Sequence, residues 1–531
     1  MSANLQESKE IIDQLRAVCG EEYVLTEHAD REFFAMDVYQ SRELPIAVLQ
    51  PGSVSELQGI ARIASTAGIA LVPRGGGASY TDGYVPYTPD SLLIDTERMN
   101  AIVEINSEDM FVTVEPGITW AEMTAALAEK GVRSAFWGPF SGLRATVGGS
   151  MSQNAVSLGS GSYGCSADTA LSFDIVLASG EILSTGSAAM DKASPFFRHY
   201  GPDLTGLFTG DAGAFGIKAR ITLRLVPVPA YSGTASFGFT QFDDMADGMS
   251  KAARTGAVAD CFGLDPVLQK GQLGSTNTKA SIQAVWAVLK TSTNPFNGFI
   301  RIMKMAIAGK RFLGGFDFSA HYVVEGSSQA EINAKLATVR KAMAGHGTEI
   351  ANTIPTVLRA MPYIPLNGIL GPRGQRWVPM HGILPFSRLK EFHRRLSELH
   401  EQHAEKMVAL KIEKAAMFSG ISTNGFLYEP VFYWEDDRTP YHKRYLPQEH
   451  LDTLPEYAAN PEGRALVHEL RARIREIFTD MGAVHMQVGK TYPYLKGRQE
   501  QAIRILADVK KSLDPDGLMN PGALDGLKGK S

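Results

Sequence analysis

The stretch Pro73-Arg74-Gly75-Gly76-Gly77-Ala78-Ser79 follows an apolar segment, Ile69 to Val72, of the kind found in buried strands. Three consecutive glycines remove every Cβ from the turn, so its backbone N–H groups can approach a phosphate without steric hindrance. We expect Gly76 to adopt a positive φ and its missing side chain to leave space for that phosphate. Glycine-rich turns also occur in connections that bind nothing. The turn therefore predicts a phosphate site only in combination with other signals.

Further glycine-containing segments follow this turn along the chain. They are Thr146 to Ser150 (TVGGS), Ser162 to Asp168 (SYGCSAD) and Gly206 to Ile217 (GLFTGDAGAFGI), and the C-terminal region ends its motif with Asn520-Pro521-Gly522. Taken together and in this order, the segments resemble the FAD-linked oxidoreductases of the vanillyl-alcohol oxidase and p-cresol methylhydroxylase family, which includes glycolate oxidase and D-lactate dehydrogenase flavoproteins. The resemblance covers nearly the whole chain.

This resemblance implies an FAD cofactor and assigns a part of the site to each segment. The first turn would wrap the FAD pyrophosphate, and the second, with 162–168, would lie along the diphosphate and the isoalloxazine ring. The segment 206–217 would lead into a strand on the adenine side. The positions assigned to the cofactor in this way are Pro73, Arg74, Gly75, Gly76, Gly77, Ala78, Ser79, Tyr80, Thr146, Val147, Gly148, Gly149, Ser162, Gly164, Cys165, Asp168, Gly216, Ile217 and Asn520.

The residue after the three glycines bears on how FAD is attached. Family members that bond FAD covalently through this loop carry a histidine there, whereas this chain has Ala78. Other members use a histidine or tyrosine in the second domain, where the comparable stretch, Ser422 to Tyr428, offers only Tyr428. We expect non-covalent FAD.

Bulk properties limit the classes of protein to consider. A chain of 531 residues exceeds a single hydrophobic core and predicts two or three domains. The net charge of −5 gives no reason to expect nucleic-acid binding, and three scattered cysteines argue against a disulfide framework. A polar start, Met1 to Glu10, predicts a cytoplasmic protein, and we expect a homo-oligomer. The basic, apolar stretch 296–313 would suit either peripheral contact with a membrane surface or a helix packed on its own domain.

The pattern of elements predicts an α+β fold. Short strands and helices fill the first part without the regular alternation, or the GxGxxG turn, of a doubly wound nucleotide fold. Pro227-Val228-Pro229 marks a boundary, after which strands and long helices suggest an antiparallel sheet covered by helices. We therefore predict an FAD-binding domain in 1–228, an inserted cap domain in 229–495, and a segment in 496–531 that returns to the first domain.

Oxidation at a hydroxyl-bearing carbon needs a group that removes the hydroxyl proton while FAD takes a hydride. Our candidates in the cap are His381 and His485 and, as weaker ones, Tyr428, Tyr433, Tyr492 and Tyr494, each of which could instead be a core residue. We prefer His381 because Gly382 follows it and would leave room for a substrate, whereas Val484 and Met486 would enclose His485. The arginine that stabilises the phenolate in phenol oxidases has Arg376 as its nearest counterpart.

The substrate class is the least constrained inference. The hydroxy-acid branch typically carries Gly-Asp-Gly-Asn and Glu-His-Gly elements that hold a metal, and this chain has neither, so we expect no metal. His393, His400 and His403 fall on a helix rich in Arg and Glu and suit a solvated face. The many Tyr and Trp residues of the cap favour an aromatic or phenolic alcohol. The alternatives are a D-2-hydroxy-acid dehydrogenase and a flavin-binding docking protein without turnover, and the electron acceptor would be oxygen, a quinone or a cytochrome.

Overall fold

The computed structural model describes residues 2–269 and 315–527, with side chains from Lys9 onwards. The stretch 296–313 lies outside these residues. None of the helices in the described ranges combines the length and the apolar character needed to cross a bilayer.

The first layer is a small, mostly parallel sheet that carries the glycine turn. Within the described ranges it has four strands in the order β1-β2-β4-β3, where β2, β4 and β3 are parallel and β1 is antiparallel to β2. Helix α3 covers it; Ser53 caps the start of that helix and Gly68, at φ 66°, ends it. The elements are α1 (Ser2–Cys19), β1 (Val24–Leu25), α2 (His28–Phe34), β2 (Ala47–Leu49), α3 (Val54–Ala67), β3 (Ala70–Arg74) and β4 (Ser91–Asp95).

The second layer is an antiparallel sheet that supports the other glycine segments. In the described ranges its strands follow the order β5-β6-β10-β8-β9, and β7 pairs with one end of β10. Its core contains Trp120, Phe136 and Phe173. The elements are β5 (Ile102–Asn106), β6 (Phe111–Val114), α4 (Trp120–Ala128), β7 (Val132–Ser134), α5 (Val147–Gln153), α6 (Ser160–Tyr163), β8 (Ala170–Val176), β9 (Ile182–Ser184), α7 (Leu204–Leu207) and β10 (Ile217–Pro227).

The third layer begins at Tyr231, three residues after Val228, and is a larger antiparallel sheet. The described residues form eight strands in the order β14-β11-β13-β12-β17-β18-β15, with β16 also pairing with β18. The strands are β11 (Tyr231–Phe239), β12 (Asp260–Leu264), β13 (Phe318–Gly326), β14 (Thr348–Ile350), β15 (Arg376–Pro379), β16 (Gly382–Leu384), β17 (Ile412–Ile421) and β18 (Gly425–Trp434).

Helices cover one face of this third sheet, and the other face meets the first two layers. On the helix face, Phe392 packs against Phe478 at 4.3 Å between ring centroids. The helices are α8 (Phe242–Arg254), α9 (Gln329–Met343), α10 (Thr353–Ala360), α11 (Leu389–Gln402), α12 (Ala404–Ala409), α13 (Pro440–Tyr445), α14 (Gln448–Leu451) and α15 (Pro461–Asp480). Short 3-10 turns occur at Glu21–Tyr23, Ser166–Thr169, Gly186–Ala189, Leu366–Ile369, Phe386–Arg388 and Ala523–Gly526.

The C-terminal segment returns to the first two layers. After α16 (Glu500–Leu513), Met519 forms a bridge with Leu71 of β3, and Asn520 donates hydrogen bonds to the carbonyls of Gly83 and Ala212. The predicted α+β class, with an antiparallel sheet covered by helices, is confirmed.

Two sequence predictions differ from the structure. The apolar segment 378–384 predicts one strand from the sequence, but it forms two, β15 and β16, because the pairing with β18 is interrupted at His381, whose N–H donates to Tyr492 Oη. The segment 484–488 also predicts a strand from the sequence, but it forms only an isolated bridge from Val484 to Ile383. Both differences place histidines, His381 and His485, on irregular backbone.

Candidate functional site

The glycine turn forms one wall of a large cleft. The backbone N–H groups of Gly75 to Ser79 donate no hydrogen bond to any described residue. Five such donors in sequence, next to a cleft, are suited to binding an anion. The cleft holds about 870 Å³ when the solvent at its open side is included, and it is lined among others by Pro73, Arg74, Gly75, Gly76, Gly77, Ala78, Ser79, Thr146, Gly148, Gly149, Ile217, Lys218 and Gln487.

The glycines of the turn are required by close packing. A Cβ on Gly75 would lie 2.3 Å from Thr146 Oγ1, and one on Gly76 would lie 1.9 Å from the carbonyl oxygen of Arg144. The positive φ belongs to Gly77, at 70°, and not to Gly76 as the sequence suggested. Gly76 therefore makes room for the neighbouring chain and not for the phosphate, which corrects our expectation about the reason for this glycine.

The second glycine segment supports the first one. Thr146 caps α5 by accepting a hydrogen bond from the Gly149 N–H at 3.2 Å, and the Gly148 N–H donates to Pro116 O at 2.9 Å. A Cβ on Gly148 would lie 2.6 Å from Pro116 Cβ. Since these N–H groups are already bonded, this segment shapes the cleft by close approach more than it supplies free donors.

Several predicted cofactor residues do not line this cleft. Val147 is fully buried in the core of the second layer. Asp168 accepts a hydrogen bond from the Cys165 N–H at 2.8 Å, and a Cβ on Gly164 would lie 2.2 Å from Asp168 Oδ2, so these three form a local turn. Asn520 links the C-terminal segment to Gly83. Ser162 donates to the carbonyl of Val258, and Gly216, at φ 155°, packs against Ile175 of β8.

The predicted His381, His485 and Tyr492 lie together, and Tyr80 joins them. The His381 N–H donates to Tyr492 Oη at 2.8 Å, and His485 Nδ1 lies 2.7 Å from the His381 carbonyl oxygen. The ring of His485 stacks on Tyr492 at 4.0 Å, and Tyr80 approaches both His381 (5.9 Å) and Trp377 (5.6 Å). The structure thus places these aromatic side chains around His381.

The imidazole of His381 is fully buried, and neither of its ring nitrogens has a hydrogen-bond partner among the described residues. Burial lowers the pKa of His381 well below its usual value, and His485 and Arg471 lower it further. Buried polar atoms are normally paired, so this ring is suited to a bound molecule. The backbone N–H and C=O of His381 are both hydrogen-bonded, whereas its ring nitrogens are free to accept or donate a hydrogen bond.

The space that we expected beside Gly382 is filled by the protein itself. A Cβ on Gly382 would lie 2.3 Å from the ring of Phe478. His485, which we expected to be enclosed, is half-buried, and its neighbour Val484 is 60% exposed. Its Nδ1 must donate to the His381 carbonyl, which leaves Nε2 as the unprotonated nitrogen of the neutral ring. Burial lowers the pKa of His485 to about 4.

Two other candidates lie elsewhere. Tyr428 of β18 points to the helix-covered face of the third sheet. Its hydroxyl is 2.7 Å from His393 Nδ1, and its ring packs on Phe392 at 4.8 Å. Arg376 donates to Tyr39 O at 2.6 Å and lies 3.7 Å from Asp436, so its charge is already compensated. The structure does not bring either group to His381.

Sequence reasoning missed Arg471 on α15. It is 5% exposed, has no carboxylate within ion-pair distance among the described residues, and lies over the ring of Tyr39 at 3.9 Å. Its hydrogen bond, to Tyr80 O, is long at 3.4 Å. A buried guanidinium without a counter-ion is costly, so this position is suited to an anionic or strongly polar ligand atom. Its neighbours on a charged helix gave no signal in the sequence.

Sequence reasoning also missed Glu429, the residue after Tyr428. Side chains alternate along β18, so Glu429 shares a face with Leu427, which packs against Val156 of the second layer. It is 8% exposed and has no hydrogen bond or ion pair within the described ranges. Burial raises the pKa of Glu429 to about 8. The segment 427–434 (LYEPVFYW) predicts an aromatic core strand, so its single carboxylate was not recognised as a candidate site residue.

The cleft and the aromatic cluster are connected. Gln487 lines the cleft, and its side chain also acts on Tyr80, where it partly opposes the burial that raises the pKa of the Tyr80 hydroxyl. The Gln487 N–H also donates to Gln153 O at 2.6 Å, which fixes it against α5. Gln487 therefore links the wall of the cleft to the aromatic cluster around His381. In the described residues there is no group of three or more His, Cys, Asp or Glu that could hold a metal ion.

Comparison with known proteins agrees with this geometry. The family described as FAD binding domain matches residues 45–186. The chain is 32% identical over 247 residues to glycolate oxidase subunit GlcD of Bacillus subtilis, covering 46% of this chain and 50% of that protein. It is 31% identical over 245 residues to the mitochondrial D-lactate dehydrogenase (cytochrome) of Arabidopsis thaliana, covering 46% and 41%. The matches thus span half or less of these relatives.

The fold has close structural relatives. The structure of p-cresol methylhydroxylase with substrate bound superposes with a TM-score of 0.72 at 16% identity, covering 98% of this chain and 97% of that one. At this identity the likeness shows the fold alone. The free N–H groups, the glycine packing and the cleft fit FAD, which the matched domain binds. Residues 45–186 therefore belong to the FAD binding domain family, and the chain as a whole has the fold of p-cresol methylhydroxylase.

Proposed function

We propose that this protein is an FAD-dependent oxidoreductase that oxidises a carbon bearing a hydroxyl group, in an aromatic or phenolic alcohol. The observation that supports this most is His381: a buried, neutral imidazole with two unpaired nitrogens. Tyr80 and Tyr492 flank its ring, and Trp377 packs against Tyr80. Flat aromatic walls suit a flat aromatic substrate. FAD, when bound, supplies a hydride acceptor.

Side chains of the protein would accept the hydroxyl proton of the substrate. His381 has a depressed pKa and is neutral at pH 7, so one ring nitrogen can accept the hydroxyl proton of the substrate. Tyr492 and His485 hold its backbone on both sides, which fixes the position from which the imidazole acts. The full burial of the ring excludes water from this step.

Arg471 is the group we assign to the polar end of the substrate, in place of Arg376. It lies beside Tyr80, its charge has no carboxylate partner among the described residues, and it is buried. A phenolate or a carboxylate there would compensate its charge. The same observation favours a second candidate, a D-2-hydroxy acid, and the named activities of the two curated relatives point in that direction.

We propose that FAD is held without a covalent bond. Ala78 offers no attachment point on the turn, and the Tyr428 hydroxyl is engaged by His393 on the helix face. Acid precipitation of the yellow protein should therefore leave all of the FAD in the supernatant. Colour that stays with the precipitated polypeptide would refute this attachment mode.

An anaerobic reduction screen tests the proposed function. The purified flavoprotein is mixed without oxygen with aromatic and phenolic alcohols and, separately, with 2-hydroxy acids, while flavin absorbance is followed. We expect bleaching by an aromatic alcohol and an aldehyde or ketone as product. Bleaching by 2-hydroxy acids alone would establish the second candidate, and no bleaching by either class would favour a flavin-binding protein without turnover. Reoxidation by oxygen, a quinone or cytochrome c then identifies the electron acceptor.

A further inference from the structure

A helix of the cap touches the back of the glycine turn. Tyr441 and Tyr445 of α13 (Pro440–Tyr445) both reach carbonyl oxygens of the turn. Tyr441 Oη donates to Gly77 O at 2.6 Å, and Tyr445 Oη donates to Gly76 O at 3.3 Å. Tyr441 is fully buried, so water cannot replace its hydrogen bond. Two carbonyls of the turn are thus held by residues more than three hundred positions away in the chain.

The FAD-binding region holds the same two carbonyls with its own side chains. Tyr84 Oη donates to Gly77 O at 2.7 Å, and Arg144 Nε donates to Gly76 O at 2.9 Å. Arg144 Nη2 also lies 3.1 Å from Tyr445 Oη. Each carbonyl therefore accepts one bond from the cap and one from the FAD-binding region.

The orientation of a carbonyl fixes the orientation of the next N–H group. In a trans peptide unit the C=O and the following N–H point in opposite directions, and the unit is planar. Holding Gly76 O and Gly77 O at the back of the turn therefore directs the N–H groups of Gly77 and Ala78 forwards, to the cleft. These are two of the five N–H groups that have no partner among the described residues.

Helix α13 packs against α2 of the FAD-binding region. The rings of Tyr441 and Tyr445 pack on Phe33 of α2, with centroids 6.3 Å and 5.0 Å apart, and Arg444 Nη1 lies 2.8 Å from Asp30. Tyr445 also hydrogen-bonds the buried guanidinium of Arg74. The helix is therefore placed by contacts with α2 and holds the turn from that position.

We propose that α13 is a positioning element of the FAD site: Tyr441 and Tyr445 hold the Gly76 and Gly77 carbonyls so that the turn presents its N–H groups to the FAD pyrophosphate. Retention of FAD then depends on the cap, and movement of the cap away from the turn favours FAD release. The proposal rests on FAD as the cofactor and is independent of the proposed substrate.

The test measures FAD release from the holoprotein, without any substrate. The variants are Tyr441→Phe, Tyr445→Phe and the double variant, and the matched control is Tyr457→Phe, a cap tyrosine whose hydroxyl donates to Arg373 O at 2.7 Å, away from the turn. The FAD dissociation constant comes from the rise in flavin fluorescence on dilution. The thermal midpoint at saturating FAD is measured in parallel.

We expect each single variant to raise the dissociation constant about threefold to tenfold, the usual worth of one hydrogen bond, and the double variant to raise it more. The thermal midpoint at saturating FAD should stay near that of Tyr457→Phe. A dissociation constant within about twofold of wild type in both single variants would overturn the proposal, as would a fall in thermal midpoint with unchanged FAD affinity, which is the result of a purely packing role. Tyr84→Phe with Tyr441→Phe, which leaves Gly77 O without either donor, should exceed the sum of the single effects.

Discussion

At the scale of single residues, His381 is the most informative test of the chemistry. Replacing His381 by Ala removes the only imidazole among the described residues with two unpaired, fully buried nitrogens, so we expect flavin reduction by substrate to slow by roughly 10²–10⁴-fold. FAD should remain bound, since His381 does not line the cleft at the glycine turn. Stopped-flow absorbance under anaerobic conditions measures the rate.

His485→Ala is the matched comparison for that variant. His485 contacts the His381 carbonyl and stacks on Tyr492, so it positions His381, and we expect a smaller loss than in His381→Ala. Normal reduction in His381→Ala together with a large loss in His485→Ala would move the role of base to His485 Nε2. A loss of folded protein with normal reduction in the remainder would make His381 a core residue.

Glu429 gives a pH-dependent prediction. Burial raises the pKa of its carboxyl from 4.5 to about 8, so between these values the folded protein keeps a proton that the unfolded chain has released. Stability therefore falls as pH rises from about 4.5 to about 8, by up to ~1.4 kcal/mol per pH unit. Glu429→Gln removes this loss. Its thermal midpoint, relative to wild type, should rise between pH 5 and pH 8.

Glu449→Gln is the control for that measurement, because Glu449 is exposed. Its difference from wild type, measured at each pH, is the baseline for the Glu429→Gln series. An equal, pH-independent difference for Glu429→Gln would show that the Glu429 carboxyl is ionised in the folded protein and has a partner there.

At the scale of elements, β18 separates two roles on its two faces. Tyr428 faces the helices and bonds His393, whereas Leu427 and Glu429 face the first two layers. We expect Tyr428→Phe to lower the thermal midpoint while flavin reduction stays within about threefold of wild type. Tyr492→Phe removes the acceptor of the His381 N–H and should slow reduction more than it lowers stability. A larger loss of flavin reduction in Tyr428→Phe than in Tyr492→Phe would contradict these two roles.

The arrangement of the strands also explains why the sequence identified His381 as a candidate but did not predict the strands around it. The apolar segment 378–384 predicted one strand, yet it forms β15 and β16, and His381 lies between them without pairing to β18. The long strand β17 was missed, although it pairs with β18 along its whole length. Pairing of distant strands is a property of the tertiary fold and leaves little trace in local sequence.

For the molecule as a whole, the sequence predicted the glycine-rich turn, whereas it did not predict the contacts between the layers. The turn Gly75 to Ser79 and its unpaired N–H groups follow from local backbone freedom. Arg471 and Glu429 became visible only when α15 and β18 were placed against Tyr80, because burial without a partner is a tertiary property. The hydrogen bond from Tyr441 of α13 to Gly77 O joins residues that are far apart in the chain, so the sequence did not predict it either.

In the proposed reaction, the hydroxyl-bearing carbon of an aromatic alcohol gives up its hydrogen as a hydride while the protein removes the hydroxyl proton. The most direct measurement is the anaerobic rate of flavin bleaching with an alcohol that bleaches the protein, compared with the same alcohol carrying deuterium on that carbon. We predict markedly slower bleaching with the deuterated alcohol in wild type, and a still slower but isotope-sensitive reaction in His381→Ala. Bleaching that is independent of deuterium at that carbon, with the chemical step shown to limit the rate, would contradict the account.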